Sequence, residues 1–133
     1  MRIRTYLVTL GVLLALDLVW LVWVSPPLYR MTIGPLLRER PDLVAAALFY
    51  ALYAVGVAEF AVRPAAATAP WRSVAGRGAL LGLFAYGTFD LTAQAVLKGW
   101  SPLIVVVDMA WGALLTGAVA AVTHRLTRDR SRS

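Results

Sequence analysis

The sequence predicts an all-α fold, a bundle of four transmembrane helices with the N-terminus and the C-terminus in the cytoplasm. Composition, the length of four apolar runs and the placement of positive charge predict it. Of 133 residues, 60% are hydrophobic and 15% charged, where a soluble domain has about 45–50% and about 25%. Mean hydropathy is +0.72. A soluble domain of this size would leave large apolar patches in water, whereas a bilayer requires them. The length suits one domain, read as residues 1–124 followed by a basic tail, 125–133.

A spanning helix needs about 20 mostly apolar residues. Four segments meet this: Thr5–Val24, Leu43–Val62, Gly78–Leu97 and Pro102–Thr123. None shows strand alternation, and a backbone in lipid must satisfy its own hydrogen bonds, so each is read as a helix. Arg2 and Arg4 before the first run resemble the start of a signal peptide. That run is too long, carries Asp17, Trp20 and Trp23, and lacks a small-x-small cleavage site, so a retained helix is expected. Pro26-Pro27 and Pro64 are expected to end the first and second helices, because proline lacks the N–H that a helix interior needs. Asp42 and Ser101 are placed as N-caps, the latter with Pro102 at the first helical position.

Lysine and arginine set the orientation. Arg2, Arg4, Arg63, Arg72, Arg77, Arg125, Arg128, Arg130 and Arg132 fall on one side, against Arg30, Arg38, Arg40 and Lys98 on the other. The positive-inside rule puts the first set in the cytoplasm. The net charge of +6 therefore reads as topology, and the expected partner is the lipid bilayer, with no nucleic acid. The segment Ser25–Asp42 becomes the one sizeable outer loop. It is either a stretch lying on the membrane surface or a plain ordered loop. The basic tail is expected near anionic headgroups.

The chain has no cysteine and one histidine, His124, at the end of the last run. Disulfide, iron–sulfur and thiol chemistry are excluded, and a buried haem lacks an obvious axial histidine. No cofactor and no metal site can be named from the residues.

The informative residues are acids within the apolar runs: Asp17, Glu59, Asp90 and Asp108. With both termini inside, six or seven residues separate each aspartate from the outer end of its helix. At 1.5 Å per residue, all three lie about 9–11 Å below the outer edge of the hydrocarbon. An ionised aspartate at a helix centre costs about 2.5–3.5 kcal/mol, so three isolated ones would rival the whole stability of a small domain. They must face the interior with partners, hold protons, or surround a cation. Glu59, near the inner end of its helix, is expected to pair with Arg63 or reach the interface.

Spacing assigns faces. Thr5, Thr9, Leu13 and Asp17 form one stripe; Gly78, Gly82, Tyr86, Asp90 and Gln94 a second; Asp108, Gly112, Thr116 and Ala120 a third. Small residues allow close helix approach, and polar side chains then bond across the gap. Asp17 and Asp108 each precede a tryptophan by three residues, Trp20 and Trp111, whose indole N–H can donate to a carboxylate on another helix. The match hints at inverted halves, but two four-residue matches are thin evidence, and chance explains the repeat better. Tyr50 and Tyr53 are candidate donors to the aspartates, or aromatic packing.

Several motifs together resemble a family of bacterial membrane proteins, the domain-of-unknown-function family 2177. They are Leu16-Asp17-x-x-Trp20-Leu21, Tyr29-Arg30-x-x-x-Gly34-x-Leu36, Phe49-Tyr50-x-x-Tyr53-x-x-Gly56, Tyr86-x-Thr88-Phe89-Asp90-Leu91-Thr92, Leu97-Lys98-Gly99-Trp100 and Asp108-x-x-Trp111-Gly112. The resemblance covers most of the chain and implies a four-helix protein of the bacterial inner membrane, without implying an activity. Relatives often carry tyrosine at position 89 and asparagine at 93, where this chain has Phe89 and Ala93; Gln94 is a candidate source of the missing amide.

The expected site is a buried polar cluster of Asp17, Trp20, Tyr53, Tyr86, Asp90, Gln94, Asp108 and Trp111, handling protons, a cation or a small polar ligand. Such carboxylates titrate as a group, and for transport four helices would call for a homodimer. The second reading is a structural or assembly subunit of a larger membrane complex, its aspartates serving helix packing. A lipid-modifying enzyme ranks third, because no nucleophile–histidine pair, histidine cluster or phosphate loop is present.

Overall fold

The structure is a computed structural model describing residues 3–38 and 40–128. Arg2 and the tail beyond Arg128, which entered the charge count, lie outside the described residues. Four helical rods are long and apolar enough to cross a membrane: Ile3–Leu36, Leu43–Val62, Trp71–Val96 and Pro102–Thr127. The described residues contain no strand. The all-helical, four-span fold expected from hydropathy is thus the one observed.

The first rod comprises α1 (Ile3–Val19), a π turn (Trp20–Val24), α2 (Ser25–Ile33) and a 3₁₀ turn (Gly34–Leu36). This corrects the expectation that Pro26-Pro27 ends the helix. The two prolines sit at the start of α2, just after the π turn, where the missing N–H groups break little. The preceding turn widens so that the Ser25 N–H donates to the Trp20 carbonyl, five residues back rather than four. Most of the expected outer loop is therefore a continuation of the first helix.

In the second rod, α3 (Leu43–Val57) passes into another π turn (Ala58–Val62). Asp42 caps it as expected: its Oδ1 accepts from the N–H groups of Val44 and Ala45, both at 3.1 Å. The turn closes with the Arg63 N–H on the Ala58 carbonyl at 2.8 Å, just before Pro64. The third rod is α4 (Trp71–Val96), which begins at Trp71 rather than Gly78. Gly99, with φ +81°, turns the chain into α5 (Pro102–Thr127), capped by Ser101 Oγ accepting from the Leu103 N–H at 3.2 Å.

α5 is the central helix. Half of its most apolar stretch is buried, against 17–22% in the other three rods. α4 packs on it through glycines that admit no side chain. A Cβ on Gly78 would lie 2.6 Å from the Thr116 carbonyl oxygen, and one on Gly82 would overlap the Gly112 carbonyl. The outer surface is apolar: Leu52 is 75% exposed, Leu114 71% and Phe84 63%. In water this surface would be an aggregation hazard; in a bilayer it is the lipid contact. Arg4 donates to the Leu126 carbonyl at 3.3 Å and His124 Nε2 meets the Ala69 carbonyl at 3.0 Å. The start of α1, the loop before α4 and the end of α5 therefore share one end of the bundle.

Candidate functional site

At mid-height, three helices converge on Asp17, which is 6% exposed. It ends the stripe of Thr9 and Leu13, both fully buried, so α1 presents it inward. Trp111 Nε1 on α5 donates to its Oδ1 at 3.0 Å, and the Tyr50 hydroxyl on α3 donates to its Oδ2. The indole-to-carboxylate contact between helices one and four foreseen from the Asp-x-x-Trp spacing is present in this pair. Trp20, one turn beyond Asp17, stacks on Trp111 with ring centroids 4.7 Å apart and planes within 8°.

One turn along α5 from Trp111 stands Asp108, 8% exposed. The Tyr29 hydroxyl on α2 donates to its Oδ1 at 2.6 Å. Tyr29 was missed as a site residue, because the proline pair placed it in an outer loop. Its signal was its position within the Tyr29-Arg30 motif. The π turn and unbroken helix bring it back over α5.

Asp90 on α4 is fully buried, and neither carboxyl oxygen accepts a hydrogen bond from a donor group. Gln94 does not join the site; it is exposed. A four-residue step advances about 40° around a helix of 3.6 residues per turn, so four steps from Gly78 carry Gln94 to the opposite face. Ala93 is the buried neighbour of Asp90, and the amide absent from position 93 is not replaced from position 94.

Tyr53 and Tyr86 complete the wall. The Tyr53 hydroxyl and Thr116 Oγ1 are 2.5 Å apart, making Thr116 a second polar residue that sequence reasoning left as stripe filler. Tyr53 meets Tyr86 edge-on at 6.1 Å. Glu59 lies away from the cluster, bonded to Arg63 at 2.7 Å as expected.

Together these residues line a cavity of about 390 Å³, within the range of small-molecule sites. Asp17, Asp108, Tyr29, Tyr50, Tyr53, Tyr86, Trp20 and Trp111 face it, with Leu21, Phe49 and Phe89 at its rim. These three rim residues are exposed on the lipid-facing surface, so the mouth opens sideways between the first, second and third rods. No lysine, arginine or histidine lines it. Among the described residues no three acidic, imidazole or thiol groups gather as a metal site.

The hydrogen bonds to Asp17 hold helices together as well as shaping the cavity, and Tyr50→Phe measures that share. Interhelical polar contacts in membranes average about 0.6 kcal/mol and reach about 1.7. Thermal unfolding in detergent is expected to show a loss within that range with the bundle intact.

No curated protein and no solved structure matches the chain. Residues 2–125 match the family described as predicted membrane protein (DUF2177), the same family that the motifs pointed to. That match spans all four helices and every aspartate of the cluster, and the chain belongs to the DUF2177 family of membrane proteins.

Proposed function

We propose that the cavity binds a lipophilic organic cation within the membrane. The observation that carries this reading is a pair of carboxylates, Asp17 and Asp108, on the wall of an aromatic cavity with no basic side chain facing it. Tyrosine and tryptophan donors stabilise a carboxylate but do not neutralise it. A cation does, and aromatic faces add about 0.5–2 kcal/mol for a desolvated ammonium or phosphonium. The lateral mouth favours a ligand that partitions into lipid before it binds.

Tetraphenylphosphonium and tetraphenylborate, alike in size and opposite in charge, test this directly on the purified protein in lipid nanodiscs. Saturable binding of the cation with no binding of the anion is expected. Equal binding of both would mean an apolar surface and no charge-selective site.

The second reading is an assembly or accessory subunit, favoured by one observation: each hydrogen bond to Asp17 and Asp108 ties one helix to another. Gentle extraction that yields a stoichiometric protein partner and no cation binding would support it. A homodimer is the expected form if the cation is moved across the membrane, since four helices make a narrow path.

The proposed setting is the inner membrane, with both chain ends in the cytoplasm. Arg4, Arg63, Arg72, Arg77, Arg125 and Arg128 belong to the segments around the end where the start of α1 meets the end of α5, which supports that orientation. The chain has no cysteine, so single cysteines at Ser73 and at Gly99 report topology without background. An impermeant thiol reagent added to intact cells is expected to label Gly99→Cys and spare Ser73→Cys; the reverse pattern would invert the orientation.

A further inference from the structure

A second cavity, of about 370 Å³, lies beside the first along α2. Ser25 and Tyr29 line both, so the two share a wall, but the charges on its two sides are opposite. The first holds Asp17 and Asp108 and no basic side chain. The second holds Arg30 and Arg38 and, among the described residues, no acid. Arg30 and Gly34, which also lines it, belong to the Tyr29-Arg30-x-x-x-Gly34-x-Leu36 motif, of which the aspartate cluster uses Tyr29 alone.

Helical spacing accounts for the lining. Ser25, Tyr29 or Arg30, and Gly34 recur every four or five residues along one face. Leu37, with φ −81° and ψ 139°, leaves the helix as extended backbone, and Arg38 reaches the same cavity. Gly34 keeps the floor open, since a Cβ there would meet no heavy atom within 4 Å. Arg30 makes no hydrogen bond or ion pair with the described residues. Arg38 Nη1 stands 3.5 Å from Asp42 Oδ2, long for a hydrogen bond, while Asp42 Oδ1 is engaged in capping α3. Ser25 is 9% exposed, and its hydroxyl has no partner among the described residues. Two guanidinium groups and a buried hydroxyl therefore line one space with donors that the protein leaves uncommitted, and a buried polar group without a partner calls for one.

We propose that this second cavity is a phosphate site, in which Arg30 and Arg38 hold the phosphate group of a ligand between them and Ser25 adds a neutral donor. The planar guanidinium fork matches phosphate oxygens two at a time and keeps its charge throughout the physiological pH range. The bilayer itself is the nearest source of such a group. The apolar run of the first rod ends at Val24, whereas the rod continues to Leu36. Its 34 residues exceed the roughly 20 that hydrocarbon needs, so α2 reaches the headgroup layer. Met31, 81% exposed, and Leu36, 50% exposed, flank the lining residues in sequence and offer apolar surface to acyl chains. This site stands independently of the cation reading above.

The test is calorimetric titration of the purified protein in maltoside detergent and phosphate-free buffer, with short-chain phosphatidylglycerol and, separately, with inorganic phosphate. Saturable binding of one lipid per chain is expected. Arg30→Gln and Arg38→Gln should each weaken it by roughly 10- to 150-fold, the loss that goes with a hydrogen bond to a charged group. Arg40→Gln removes the same charge from an exposed residue that does not line the cavity and should change the affinity little. Gly34→Leu keeps both arginines and fills the floor, so it should also weaken binding, and it keeps the site testable if an arginine variant does not fold. Inorganic phosphate bound with the same dependence on Arg30 and Arg38, with no lipid bound, would support the site and assign it to a free phosphate. No saturable binding of either, or an equal loss in Arg40→Gln and Arg30→Gln, would overturn it.

Discussion

Replacing Asp108 with asparagine is expected to lower the affinity for tetraphenylphosphonium by roughly 30-fold to several thousand-fold while the bundle remains folded. Losing one member of a buried, hydrogen-bonded charge pair costs about 2–5 kcal/mol, and each 1.4 kcal/mol is tenfold. Asparagine keeps an oxygen for the Tyr29 hydroxyl, which stands 2.6 Å from the native carboxylate, so the tie between α2 and α5 survives. Affinity should be read beside circular dichroism and elution volume. If Asp108 served only to lock helices, the same variant would bind as the wild type does and lose about 0.6 kcal/mol of stability. The two magnitudes are far enough apart to separate the readings.

Gly82→Leu is expected to have the largest effect on stability. α4 and α5 approach so closely there that even a methyl group would overlap the Gly112 carbonyl and lie 2.7 Å from Thr116 Oγ1. Both are parts of a buried helix, one of them backbone, so the helices must separate. Overpacking costs typically 1–3 kcal/mol and occasionally more. A lower unfolding temperature in detergent is expected. Gly76→Leu, at a position where nothing lies within 4 Å of an added Cβ, is the control and should change little.

The helices were legible in the sequence because hydropathy reports burial in lipid directly, and the caps at Asp42 and Ser101 were legible because capping is local chemistry. The continuity of the first helix was not. Pro26-Pro27 breaks a regular α-helix, but the π turn before it, closed by Ser25 and Trp20, depends on backbone geometry that residue types alone do not announce. The loss of Tyr29 from the expected site follows from that one error.

The aspartates and tryptophans were found because acids in apolar runs are costly and must be placed. Gln94 was misassigned for a geometric reason: a stripe drawn every four residues drifts around the helix. Asp17, Thr9 and Leu13 survived the same drift because that stripe is short and bends no more than one helix face allows. The ties of Tyr29 to Asp108 and of Tyr53 to Thr116 required the packing of the other helices on α5 and are not encoded in any local spacing.

In the proposed function a cation sits inside the bundle beside Asp17 and Asp108. Tetraphenylarsonium, of the same shape as the phosphonium, makes that position directly measurable, because arsenic scatters anomalously. In crystals of the protein grown with it, the account predicts one arsenic peak per chain within the cavity bounded by Asp17, Asp108, Trp20 and Trp111. An arsenic peak confined to the outer, lipid-facing surface, or a cavity left without one at saturating arsonium, would contradict it.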